Sequence, residues 1–168
     1  MKIWKISAGY GSQDWEEWKE ESYCKLGQWR KKYYLKIKRD LKKGYENEQD
    51  FFTKTKFKGS PINDWRKQLA DFTWGIKKND IIFCYKHKYF VGWTVITKDS
   101  KYYYQSSGHF RNVEWHDFDP PINLFPYKWM LYGVLPDINL SNRNVGKFQS
   151  FFGCRLTNYG SVKKELDF

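Results

Sequence analysis

Cysteine is scarce in this chain. Cys24, Cys84 and Cys154 are odd in number, far apart and outside any CxxC pair. That excludes a disulfide framework and gives no zinc pattern, so no metal and no cofactor is expected. Long apolar runs are also missing. Nothing approaches the 18 or so residues of a membrane span, and the opening MKIWKISAGYG has no apolar core of a signal peptide. A soluble protein of a reducing, cytoplasmic compartment is expected, without a membrane partner. Phosphate-cradling glycine loops are absent: GYG at Gly9 to Gly11 lacks the third glycine of a dinucleotide fingerprint, and no Walker loop occurs. His87, His109 and His116 stand in no serine, cysteine or carboxylate pattern, so no catalytic residue is assigned and the domain is read as a non-enzyme.

Carboxylates are outnumbered. Lys and Arg total 30 against 19 Asp and Glu, a net charge of +11. Such an excess points to an acidic partner, nucleic acid before any other. The cations are concentrated: nine of them fall between Lys25 and Lys43, with Asp40 the one acid there. Arg30, Lys31, Lys32, Lys36, Lys38, Arg39, Lys42 and Lys43 form a candidate phosphate track, joined by Lys98, Lys101 and Arg111 from a later loop. A run of charge is often only a solvated face, but here the repulsion is uncompensated.

Aromatic residues are abundant: 9 Trp, 13 Tyr and 13 Phe, 21% of the 168 residues. Most must fill a core. Aromatic rings among cations are also what stacks bases while neutralising phosphates.

The length suits one domain over residues 1–168, with the stretch after about 155 read as a tail or a linker to absent domains. KIWKIS reads as a strand, and Trp15 to Glu21 as a short helix with acids in its first turn. Tyr33 to Lys43 reads as a helix stopped by Gly44, and Tyr45 to Gly59 as an irregular loop. Ser60 to Gly75 carries a cap, Pro61 at the first helical position and a terminal glycine; Ile62, Trp65, Leu69 and Phe72 share one face. Asp80 to Tyr85 and Tyr89 to Thr97 read as a hairpin. Lys98 to His109 reads as a tyrosine-rich loop, and Phe110 to Phe118 as a strand ended by Pro120 and Pro121. A further strand in KWMLYGVLP and a helix from Val145 to Phe152 complete the reading. The fold class is α+β, a mainly antiparallel sheet flanked by helices.

The order of WKIS, DWEEW, LGQW, FTWGIKKNDIIFCY, KYFVGWTVIT and FRNVEW resembles the EVE and YTH branch of the PUA-like superfamily. More narrowly, it is similar to the amino-terminal DNA-reading domains of Mcr-type restriction GTPases. The resemblance covers the chain to about Trp115. One departure is Asn79-Asp80 where the family has Gly-Asp; Asn also tolerates the left-handed turn. The resemblance implies a partly closed β-barrel whose aromatic pocket takes a single, often methylated base flipped from a strand. It implies a sensor of a modification-dependent restriction system, with DNA favoured and RNA second. A GTPase motor domain and a nuclease subunit would be its partners.

Trp29 stands where the family's IGW falls and is the first candidate for a pocket wall; its other reading is a core tryptophan. Three consecutive tyrosines cannot all face one core, so at least one is exposed or lines a cleft. The resemblance assigns the second pocket wall to this loop, with Tyr103 or Tyr104 as the candidate; the other reading is a solvent-facing loop. Ser7 and Asp80 could meet a base edge or simply cap turns. Trp93 could form the pocket floor or belong to the core.

Overall fold

The computed structural model describes residues 2–8, 13–26, 40–56, 65–86, 89–105, 108–123 and 157–158. Their strands form two sheets and no closed barrel. In the first, β7 (His116–Asn123), β4 (Tyr89–Val95), β3 (Ile81–Lys86), β1 (Ile3–Ser7) and β8 (Thr157–Asn158) lie side by side in that order. Only β1 and β3 run parallel, with Ile3 opposite Ile81; the other neighbours are antiparallel. In the second, β2 (Tyr23–Leu26), β6 (Gly108–Asn112) and β5 (Tyr102–Gln105) form an antiparallel trio. The architecture is therefore α+β, mostly antiparallel, with few and short helices.

Helix α1 (Trp15–Glu20) buries Trp15 and Trp18, three residues apart on one face, and keeps Glu16 and Glu17 in its first turn. Asp14 occupies its cap position, without a side-chain cap bond. Helix α2 (Leu41–Gly44) is capped by Asp40, whose carboxylate accepts from the Lys42 amide at 2.9 Å. The helix expected from Tyr33 to Lys43 and stopped by Gly44 is not continuous, because Asp40 is extended and a separate helix starts at Leu41 and includes Gly44; Tyr33 to Arg39 lie outside the described residues.

The stretch read as an irregular loop contains helix α3 (Glu48–Lys54). Asn47 accepts from the Asp50 amide at 3.0 Å, and Asp50 pairs with Lys54 one turn on. Its single buried anchor, Phe51, gives no periodic pattern to read. Helix α4 (Trp65–Ala70) runs into a π-helical turn, Asp71–Gly75, where the Ile76 amide reaches the Asp71 carbonyl at 2.8 Å. Leu69 and Phe72 are buried, as the shared face required.

The loop expected between Lys98 and His109 is a hairpin instead, since β5 starts at Tyr102 and β6 at Gly108. The long strand expected from Phe110 is two strands, in different sheets. Nor do the prolines end it: β7 continues through Pro120 and Pro121. Within the described sheet β7 pairs only with β4, and the register shifts between Phe90 and Gly92, so the missing proline amides interrupt no central ladder.

The main core lies between the sheets and the helices. Trp4, Ile6, Ile82 and Cys84 from the large sheet meet Leu26 and Tyr102 from the small one, with Trp18, Leu41, Phe51 and Phe72 from the helices. Gly92 is part of this packing. A Cβ there would stand 2.6 Å from Trp15 Cζ2 and 2.7 Å from the His116 carbonyl oxygen, so the ring of α1 can rest on β4 only because the position is glycine. A second cluster, Phe83 and Phe90 with Trp93, Phe118 and Ile122, covers the other face of the large sheet. Cys24 and Cys84 are both buried. No helix among the described residues is long and apolar enough to cross a membrane.

Candidate nucleic-acid interface

The expected site residues fall in several places. Trp29, Arg30, Lys31, Lys32, Lys36, Lys38 and Arg39 lie outside the described residues. The two ends of their segment are described, however. β2 delivers the chain at Leu26, which stands opposite His109 in the β2–β6 register. The chain re-enters at Asp40 and Leu41. The Leu41 amide donates to the Tyr102 hydroxyl at 3.1 Å, and that hydroxyl is 2.8 Å from His109 Nδ1. Both ends of the basic segment are thus held against one buried tyrosine–histidine pair. His109 is fully buried, and burial pushes its pKa down to about 4, Asp40 opposing the shift. The ring is neutral at pH 7. Among the described residues its Nε2 and the Arg111 Nε are buried without a hydrogen-bond partner.

Lys42 Nζ lies 5.7 Å from the centre of the Tyr102 ring. Its pKa is lowered, first by partial burial and then by repulsion from Arg111 and Lys77, with Asp40 offsetting only part. At this end of the basic segment Lys42 thus has Arg111 and Lys77 as like charges and Asp40 as the opposing one.

Arg111 needs correction as a phosphate ligand. It is 5% exposed, with Nη1 donating to the Ser100 carbonyl at 2.7 Å and Nη2 to the Phe72 carbonyl, and it lies over the Phe72 ring at 5.6 Å. A guanidinium so engaged pins β6 to the π-helical turn and is withheld from solvent. Its charge still acts through space on Lys42. Lys42, Lys43, Lys98 and Lys101 are exposed.

Tyr103 and Tyr104 emerge on opposite faces of the small sheet, as strand alternation requires. Tyr104 sits beside His109, with ring centres 5.1 Å apart. Tyr103 lies on the outer face, stacked on Phe110 at 5.4 Å with planes 16° apart. They cannot form one wall together. Phe110 also meets the edge of Tyr23 at 5.2 Å, and Lys25 Nζ stands 5.3 Å above its ring. The functional reading of the sequence missed Tyr23, Lys25 and Phe110. The signal was present in the register, which puts Lys25, Phe110 and Tyr103 in one row across three strands.

Asp80 is buried and heavily engaged. Its carboxylate accepts from the Lys2 amide at 2.7 Å, the Lys77 amide at 2.9 Å and Trp4 Nε1 at 2.9 Å. It ties β1 to the turn before β3. The preceding Asn79 has φ 70°, the left-handed turn that glycine would otherwise supply. Ser7 closes β1 opposite Tyr85 and is half-buried. Trp93 lies on the second cluster, its ring 4.6 Å from that of His116, on the opposite side of the sheet from Trp15. It therefore does not share a cleft with Tyr104 and His109. Asp117 bonds Lys19 rather than any histidine. Among the described residues no group of three His, Cys, Asp or Glu could hold a metal ion.

No curated protein matches the chain. One family model matches residues 4–130, which includes every described strand except β8, and its description is a domain of unknown function, DUF8426. With most of its length matched, the chain belongs to the DUF8426 family.

Proposed function

We propose that this domain binds nucleic acid and reads a modified base flipped out of a strand, DNA in preference to RNA, as the sensor of a modification-dependent restriction system. The observation that carries nucleic-acid binding is the run of nine cations against one acid between Lys25 and Lys43. At its described end the pKa of the Lys42 ammonium is lowered first by burial and then by Arg111 and Lys77, with Asp40 opposing. An incoming phosphate backbone supplies the missing charge. The finer reading rests on the sequence resemblance to the EVE and YTH branch of the PUA-like superfamily. In it Trp29 forms a wall of the base pocket, and any motor or nuclease belongs to other domains or partners. The domain itself acts as a reader rather than a catalyst.

The test is binding of matched DNA and RNA oligonucleotides, unmodified and carrying N6-methyladenine, 5-methylcytosine or N4-methylcytosine, at two salt concentrations. Stacking on an aromatic ring contributes roughly 1–3 kcal/mol per base. Trp29→Ala should therefore lose about ten- to hundred-fold in affinity for the preferred modified oligonucleotide and much less for the unmodified one. Equal loss for both, in a variant still folded by circular dichroism, removes the pocket. Absence of binding to every oligonucleotide at low salt removes the function.

A further inference from the structure

We infer that the outer face of the β2–β6–β5 sheet is a second binding surface, a stacking platform for single-stranded nucleic acid. This deepens the nucleic-acid reading and rests on it. The inner face of that sheet is committed to the core through Cys24, Leu26, Tyr102, His109 and Arg111. Alternation then presents Tyr23, Lys25, Phe110 and Tyr103 on the other side.

The geometry is that of a platform rather than of a core fragment. Phe110 is buried beneath its neighbours, stacked with Tyr103 and met edge-on by Tyr23. Tyr103 and Tyr23 are half-buried, and Tyr23 also packs against the main core beside Trp18. Phe110 thus fixes the plane of Tyr103 at low entropic cost, and the Tyr103 ring offers a flat apolar surface whose orientation is already set. Burial raises the pKa of the Tyr103 phenol, so the ring is neutral at physiological pH.

Cations frame the rings. Lys25 stands over Phe110, and Lys101, two residues before Tyr103, is exposed. Gln105 and Asn112, also exposed, add polar groups at the ends of β5 and β6. One carboxylate reaches the edge of the platform, where the Tyr23 hydroxyl donates to Glu17 at 2.6 Å. That bond anchors Tyr23 and leaves Tyr103 as the ring of first contact. Stacked bases with flanking phosphates match this arrangement: rings for the base faces and ammonium groups for the backbone. A duplex does not, because its base faces are covered by their neighbours in the stack. In sequence, β2 ends at Leu26, just before the rest of the basic segment.

Binding of fluorescently labelled oligothymidylate to the full chain tests this, measured beside a modified duplex. Wild type should bind both. Tyr103→Ala should lose about ten- to hundred-fold for oligothymidylate and little for the duplex, while Tyr103→Phe, which keeps the ring, should bind like wild type. Lys25→Ala should make the single-strand affinity less steep in salt. Duplex binding with no oligothymidylate binding overturns the platform alone, as does an oligothymidylate affinity unchanged in Tyr103→Ala. Failure of wild type to bind either probe overturns the platform together with the functional reading beneath it.

Discussion

Tyr102 and His109 are joined by a 2.8 Å hydrogen bond across β5 and β6, and the same tyrosine oxygen accepts from Leu41 at the point where the basic segment re-enters the fold. Burial keeps the imidazole neutral, with its pKa pushed from 6.5 down to about 4. The unfolded chain binds a proton through this range and the native chain does not. Stability from the neutral ring is therefore complete above pH 6.5 and is lost progressively as pH falls towards about 4. A shift of that size corresponds to about 3 kcal/mol. Urea unfolding from pH 7.5 to 4 should show this decline, and His109→Gln should flatten it. Equal pH slopes in the two proteins would mean that the ring titrates in the native state as it does in the unfolded one.

Gly92→Ala should destabilise the domain by about 1–3 kcal/mol, because its methyl group would enter the Trp15 ring and the β7 backbone together. The comparison that isolates the cause is a double-mutant cycle with Trp15→Leu. In the smaller-ringed background the penalty should shrink. An equal penalty would assign the clash to the His116 carbonyl instead.

Asp80→Asn replaces an acceptor of three bonds by a group that must also donate, against the Lys2 and Lys77 amides and the Trp4 indole. Charged hydrogen bonds of this kind contribute about 1.5–3 kcal/mol each. The urea midpoint should fall accordingly, while the fraction that remains folded keeps its affinity for nucleic acid. A variant of native stability that has lost base discrimination would instead return Asp80 to a binding role.

Reversing Lys36, Arg39 and Lys43 to Glu should weaken binding to all sequences alike and make it less dependent on salt, by roughly 0.9 in the log–log slope for each duplex contact removed. Titration at several salt concentrations reads both quantities. Unchanged low-salt affinity would reduce the run to a solvated face.

What could be read from the sequence followed how local its cause was. β1, α1 and the β3–β4 hairpin were legible because alternation, first-turn acids and flanking turn residues act within a few positions. Helix α3 was not, since one cap and one buried phenylalanine carry it. The hairpin at Tyr102–Asn112 was hidden because Tyr103 and Tyr104 belong to different faces, and a run of three tyrosines conceals which one turns inward. Arg111 shows the general limit. A cation in a basic chain reads as surface, yet two main-chain carbonyls and a phenylalanine ring suffice to bury it. Those partners come from Ser100 and, across the fold, Phe72, and no spacing announces them. Asp80 was the opposite case, because its turn-capping alternative was the visible one and its three bonds fit that reading.

The pairing of Trp4 with Asn158 and of Lys5 with Thr157 has a consequence for how the chain is made. β1 is synthesised before both of its neighbours, since its parallel partner arrives only with Ile81 and its antiparallel partner only with Thr157. Until then its ladder edges are unpaired and its two large apolar side chains, Trp4 and Ile6, lack the Ile82 and Cys84 side chains they pack with in the core. Such a topology, rich in contacts between distant parts of the chain, folds slowly and leaves the nascent strand exposed to other chains. Lys5 on that strand and Lys2 just before it place like charges beside the unpaired edge and discourage two unfinished chains from pairing there.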